Sequence, residues 1–161
     1  MDDSIEKLYH ENYEYIYQFV LGMCGDIHIA EEIAAETFYK AISKINSYDG
    51  TCKIRTWLCQ IAKNTYFSYY RKHKRLVEYK ESNILEQTEH SSIEELYIKK
   101  ENIVRIHCLL HQLEEPYKEV FLLRIFAELS FAEIGQVFGK SENWARVTYH
   151  RGKLKIIAKF G

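Results

Sequence analysis

The sequence predicts an all-α protein of two small helical domains joined by a flexible acidic linker, the second domain containing a helix-turn-helix. Apolar residues recur at three- and four-residue spacing along most of the chain. Period-two alternation is rare, and no Asn-Gly or Asp-Gly pair is flanked by β-type runs. One proline and seven glycines in 161 residues leave little to interrupt helices. The composition places a first domain at 1–77, the linker at 78–100 and a second domain at 101–161. Two such halves bury nearer 60% of their unfolded surface than the roughly 70% of a single core this size, so each is marginal alone.

Residues 4–45 read as helices, with Ile5, Leu8, Tyr9, Ile16, Phe19 and Val20 on one stripe before Gly22, Gly25 and Asp26 break it. The next segment turns Ile29, Ile33, Phe38, Ala41 and Ile45 inward and Glu32, Glu36 and Lys40 outward; acid near its start suits the helix dipole. Residues 46–52 are a turn by composition. From Lys53 to Arg75 seven cations, Lys53, Arg55, Lys63, Arg71, Lys72, Lys74 and Arg75, meet no Asp or Glu. Leu58, Ile61, Ala62, Thr65 and Tyr69 make the buried stripe of this helix, and Gln60, Lys63, Asn64, Phe67, Arg71 and Lys74 lie opposite, with Trp57 at the border. Residues 76–101 reverse the sign through Glu78, Glu81, Glu86, Glu89, Glu94, Glu95 and Glu101, and are polar and poorly periodic.

Residues 102–127 form one or two amphipathic helices around Glu114-Glu115-Pro116, with Pro116 at a first-turn position. Ser130 and Glu133 form a capping box for a short helix that buries Phe131, Ile134, Val137 and Phe138 and stops at Gly139. Ser141 caps a longer helix to about Lys155, with Ala145, Tyr149, Gly152 and Ile156 inward and Asn143, Arg146, Val147, His150 and Arg151 outward. Short helix, three-residue turn and longer helix is helix-turn-helix spacing, and from Lys140 onward six cations face only Glu142. Duplex DNA binding and a plain α-hairpin both fit that pattern. The basic face of Lys53–Arg75 fits either a single-strand surface, where cations track phosphates and rings stack on bases, or a solvated face beside core aromatics.

The remaining totals bound the class. The formal net charge of -1 argues at face value against a polyanion partner, but it sums blocks of opposite sign. Cys24, Cys52, Cys59 and Cys108 form no C-x-x-C, so reduced buried thiols are expected rather than disulfides or zinc. No apolar run reaches the roughly 18 residues of a membrane span, and Met-Asp-Asp-Ser opens no signal peptide, so a cytoplasmic location is expected. None of the seven histidines has Glu three positions before it, and no phosphate-binding or nucleophile-elbow motif occurs. His107 and His111 stand at i, i+4 without a third ligand. No enzyme activity, cofactor, metal or small-molecule substrate is expected.

Arg55-Thr56-Trp57-Leu58-Cys59-Gln60-Ile61-Ala62-Lys63-Asn64-Thr65, followed by Tyr69-Tyr70-Arg71-Lys72, resembles the signature of extracytoplasmic-function sigma factors. Gly25-Asp26 through Ala30-Glu31-Glu32 to Glu36-Thr37-Phe38-Tyr39-Lys40-Ala41 resembles the preceding helix of their first domain. Glu119–Arg124, Leu129–Ile134 and His150–Lys153 resemble their second. The resemblance spans nearly the whole chain. It implies a promoter-specificity subunit of bacterial core RNA polymerase, docked through Glu32, Glu36, Thr37 and Lys40. It implies single-stranded minus-ten contacts at Tyr48, Asp49, Arg55, Trp57, Gln60, Lys63, Asn64, Phe67, Arg71, Lys72, Lys74 and Arg75, with a flipped base near Tyr48, Asp49, Trp57 and Asn64. It implies duplex minus-thirty-five contacts at Ser141, Asn143, Arg146, Val147, His150, Arg151 and Lys153. It also implies a linker in the RNA-exit path and inhibition by a membrane-anchored anti-sigma factor. The sequence departs from the family pattern at Ala35, Ile42 and Ser68, where Gln, Trp and Asp are usual, and at Asn143–Thr148, which predicts an unusual promoter. From the residues alone, a stand-alone helix-turn-helix regulator and a helical interaction protein remain alternatives.

Overall fold

In the computed structural model of the chain, residues 3–80, 110 and 112–160 are described, the side chains of 73–80 and 160 excepted. Six α-helices and one 3-10 turn are present among them: α1 (Asp3–Cys24), α2 (Ile27–Ser43), the turn Ile45–Ser47, α3 (Ile54–Lys80), α4 (Tyr117–Ile125), α5 (Phe131–Phe138) and α6 (Glu142–Phe160). The linker and the His107, Cys108 and His111 readings lie outside the described residues, except that α3 carries helix three residues past the expected boundary at 77.

The first three helices pack on one another as a bundle. The α1–α2 corner is tied by Asp26, whose carboxylate accepts from the Ile29 amide at 3.0 Å while its carbonyl accepts from Cys24 Sγ at 3.3 Å. Such an N-cap satisfies one of the amides a helix start leaves without a partner. The bundle core is Ile16, Phe19, Val20, Met23, Ile29, Ile33, Phe38, Leu58 and Ala62, together with Thr56 and Cys59. On α3, Leu58, Ala62 and Thr65 are buried as their spacing predicts, while Ile61 and Tyr69 stay half-buried and Tyr66 is buried instead. Tyr66 also donates to the Met23 carbonyl at 3.2 Å, closing α3 against the end of α1.

In the second half, the capping box forms as expected. The Glu133 amide donates to Ser130 Oγ at 3.1 Å, and the Ser130 amide donates to Glu133 Oε2 at 2.8 Å. Gly139 closes α5 at φ 65, a left-handed position that glycine reaches without the Cβ penalty. Ser141 Oγ accepts from the Trp144 amide at 3.0 Å and starts α6. Leu122, Leu123, Leu129, Ile134 and Ala145 are buried where α4, α5 and α6 meet, and Tyr149 stacks on Phe121 with centroids 4.6 Å apart. The halves then pack on each other, α4 against α1 and α5 against α3.

Candidate nucleic-acid interface

Two surfaces carry the predicted contacts. On α6 and its capping residue Ser141, all seven predicted residues, Ser141, Asn143, Arg146, Val147, His150, Arg151 and Lys153, are exposed. Ala145, Thr148 and Gly152 are buried on the other side. A 3.6-residue repeat places 143, 146, 147, 150 and 151 on one face, which is the face a major groove would meet. Arg146 Nη2 lies 2.9 Å from Glu142 Oε1, and its guanidinium stands over the Phe131 ring at 5.4 Å. These partners hold the arm along the helix and leave it half-exposed.

The second surface runs from the Tyr48 loop along α3. Tyr48 Oη donates to the Cys52 carbonyl, and its ring packs on Trp57 with centroids 5.1 Å apart. Asp49 is exposed and accepts from the Thr51 amide at 3.0 Å and the Thr51 hydroxyl at 2.7 Å; those donors hold its carboxyl below the usual range. Asn64, Arg71 and Lys72 are exposed, and Phe67 is half-buried edge-on to Tyr66. Lys74 and Arg75 continue α3, with side chains outside the described residues.

Three predicted residues of this surface, Arg55, Gln60 and Lys63, are engaged by side chains or backbone of other helices. Arg55 Nε donates to Asn12 Oδ1 at 3.3 Å and its guanidinium lies 3.6 Å over the Tyr15 ring, which turns it toward α1. Gln60 Nε2 donates to the Gln136 carbonyl at 3.4 Å. Lys63 Nζ sits 3.4 Å from Glu119 Oε2 and 3.7 Å over the Phe138 ring. An open cleft of about 660 Å³ lies between the halves, lined by Tyr48, Lys53 and Arg55 on one side and by Arg124, Ser130 and Glu133 on the other.

On α2, Glu32 and Glu36 are exposed, and Lys40 bridges Glu36 at 3.3 Å and Thr65 Oγ1 at 3.2 Å. Thr37 is fully buried and donates to the Ile33 carbonyl at 2.7 Å, so it shapes α2 from inside and presents nothing at the surface. Beside these acids stand Tyr39, 73% exposed, and Ile42, 38% exposed. This apolar edge was marked in the sequence only by falling off the inward stripe of Ile29, Ile33, Phe38 and Ala41.

Lys118 and Glu119 are both buried, which their amphipathic setting gave no sign of. Lys118 Nζ donates to the Met23 carbonyl at 3.0 Å, near the negative end of α1. Glu115 stands at the surface as a residue, but its carboxyl is turned against Glu119. Loss of water and the shared hydrogen bond push it up to about 8, against the weaker pull of Lys118 and Lys63. Burial also holds the Cys24 and Cys59 thiols well above their ordinary range. Among the described residues no His, Cys, Asp or Glu cluster could hold a metal, and no helix is long and apolar enough to cross a membrane.

Residues 8–76 match the family model for sigma-70 region 2, and residues 103–156 match that for sigma-70 region 4. Over 156 residues the chain is 31% identical to RNA polymerase sigma factor YlaC of Bacillus subtilis, covering 96% of this chain and 90% of that one. It is 29% identical to the ECF RNA polymerase sigma factor SigM of the same species, covering 98% and 97%. With SigW, an ECF sigma factor again of B. subtilis, it shares 31% over 86% of this chain and 79% of the other. Among solved structures, CnrH in complex with the cytosolic domain of CnrY superposes with TM-score 0.72 at 18% identity, covering 97% of this chain and 86% of that one. The sigma factor RpoE in complex with the anti-sigma factor NepR from Bartonella quintana superposes with TM-score 0.73 at 14% identity, covering 96% and 95%. With both sigma regions present in order and relatives above 30% identity matched over most of their length, the chain belongs to the extracytoplasmic-function family of RNA polymerase sigma factors.

Proposed function

We infer that the chain is an alternative sigma factor that directs bacterial core RNA polymerase to specific promoters and starts transcription by recognising and melting them, and that it is not an enzyme. The observation that carries the inference is the exposed face of Asn143, Arg146, Val147, His150 and Arg151 on a capped helix-turn-helix, in a chain that also holds the basic, aromatic α3. α6 enters the major groove of the minus-thirty-five element, where Arg146 and Arg151 contact phosphates or guanine edges and His150 a base edge. α3 and the Tyr48 loop hold the melted minus-ten strand. Extruding a base costs a few kcal/mol, and stacking on Trp57 with hydrogen bonds from Asn64 offsets that cost.

Glu32, Glu36 and Lys40, with Tyr39 and Ile42 beside them, form the surface that docks the polymerase; Thr37 holds that helix from within. An anti-sigma factor, as in the superposing RpoE–NepR complex, is the natural inhibitor, and the cytoplasm is the natural location. Reconstitution with core polymerase and selection from a promoter library tests the reading. A defined minus-ten and minus-thirty-five pair recovered only with core present is the expected result. Tight binding of promoter DNA by the chain alone, with no co-purification of core, refutes it.

A further inference from the structure

From Lys140 to the end of the chain, Arg146, Arg151 and four lysines meet a single acid, Glu142, in the first turn of α6. Its side chain is 55% exposed, one turn before Arg146, and its Oε1 accepts from Arg146 Nη2 at 2.9 Å. A carboxylate at a helix start is favoured by the dipole, but on a surface that meets a polyanion it also repels phosphates. An exposed i,i+4 ion pair adds little to stability, so the fold gains little from carrying this acid among the cations.

Arg146 is held from a second side. Its guanidinium stands 5.4 Å over the Phe131 ring at the start of α5. That ring is itself fixed, with the Arg124 guanidinium 4.3 Å over it and the Tyr149 ring 5.5 Å away. Arg151, by contrast, is exposed and has no ion-pair partner among the described residues. A free arginine follows whichever phosphate is nearest. One whose arm is already set loses less freedom on forming a two-pronged bond to guanine O6 and N7. The bond to Glu142 takes one of the guanidinium donors and leaves the others for DNA.

We propose that Glu142 is a positioning residue for sequence readout: with Phe131 it holds Arg146 off the phosphate backbone and toward a base edge, so that the minus-thirty-five element is selected for guanine at the pair Arg146 meets. The proposal rests on the sigma-factor reading of α6. Arg151, without such a brace, serves as the phosphate contact beside it.

The test uses holoenzyme reconstituted from the full chain and core polymerase. A promoter library randomised across the minus-thirty-five element is retained at two salt concentrations and sequenced, beside a mixed-sequence duplex with no promoter. Arg146→Ala identifies the pair that Arg146 reads. Glu142→Ala is expected to lower the preference for guanine at that pair about fivefold and leave the other pairs unchanged. It is also expected to steepen the salt dependence of mixed-duplex binding by about one unit, as the freed arginine takes a phosphate. In the Arg146→Ala background, Glu142→Ala is expected to change nothing further, whereas a dipole or general charge effect persists there. An even loss across the element, an effect of Glu142→Ala that survives Arg146→Ala, or no loss at any pair in Arg146→Ala overturns the proposal. A wild-type holoenzyme that selects no minus-thirty-five sequence condemns the sigma-factor reading itself, whereas sharp selection that Glu142→Ala leaves intact condemns only the role of Glu142.

Discussion

At Gly135 α5 passes close to the backbone that leads into α6, and Gly135→Ala separates steric from propensity effects. A Cβ there would stand 2.7 Å from the Lys140 carbonyl oxygen, 2.9 Å from that of Ser141 and 3.0 Å from the Ser141 carbonyl carbon. None of these atoms can yield alone. The Lys140 amide donates to the Gly135 carbonyl at 2.8 Å, and the Ser141 carbonyl accepts the Ala145 amide at 3.2 Å as the first bond of α6. The methyl group must therefore push α6 away as a unit. Overpacking of this kind costs about 1–3 kcal/mol, and two contacts onto tethered backbone argue for the upper end. Alanine returns about 1 kcal/mol of helix propensity, so the net loss is about 2 kcal/mol, or roughly 4–8 °C in Tm. Two further glycines serve as comparisons. Gly139→Ala meets no atom within 4 Å but must hold φ 65, at about 1 kcal/mol. Gly152→Ala meets the Phe121 ring at 3.3 Å and Tyr117 Cβ at 3.4 Å, where a rotating ring gives way and propensity leaves it neutral or slightly stabilising. Urea unfolding should rank stability Gly152→Ala, Gly139→Ala, Gly135→Ala from highest to lowest. Binding of the selected minus-thirty-five duplex should fall most for Gly135→Ala. A Gly135→Ala protein as stable as wild type, or more stable than Gly139→Ala, refutes the reasoning.

Thr56 is fully buried and its hydroxyl meets no hydrogen-bond partner, so Thr56→Val should stabilise the fold by about 1 kcal/mol in urea unfolding. Arg151→Ala should leave unfolding unchanged and flatten the salt dependence of duplex binding by about one unit of slope. Iodoacetamide at pH 8 should label Cys52, which is half-buried, and spare Cys24 and Cys59 until the protein unfolds, as mass spectrometry would show. Glu115 is raised because packing favours its protonated form, so its support is present at acid pH and lost as pH rises through its folded value of about 8. The Tm should therefore fall from about pH 5 to 8 in wild type, and Glu115→Gln should flatten that decline.

What could be read in the sequence was whatever depends on neighbours in the chain. Ser130 and Glu133 are three residues apart and Gly139 ends the same helix, so the capping box and the left-handed stop follow from local chemistry alone. The exposed face of α6 follows from a 3.6-residue repeat on a helix with one buried side. The α3 surface is different. Lys63 and Gln60 have the spacing of a solvated or strand-binding face, and no local signal places Glu119 and Gln136, more than fifty residues later, on top of them. Lys118 and Glu119 look like the polar side of α4 and become buried because the other half supplies a carbonyl and an ammonium group. A charged residue survives burial only with such a partner, and partners distant in sequence leave no periodicity. The same reasoning sharpens the meaning of the net charge of -1. Along the chain, basic and acidic blocks cancel only as a sum. In the folded molecule part of that cancellation is physical, since cations before and on α3 face carboxylates on α4 and α5 at 3.4 Å. Near-neutral charge is therefore compatible with a nucleic-acid partner, because a sum over the chain says nothing of which cations stay exposed, as Arg71, Lys72, Arg146 and Arg151 do.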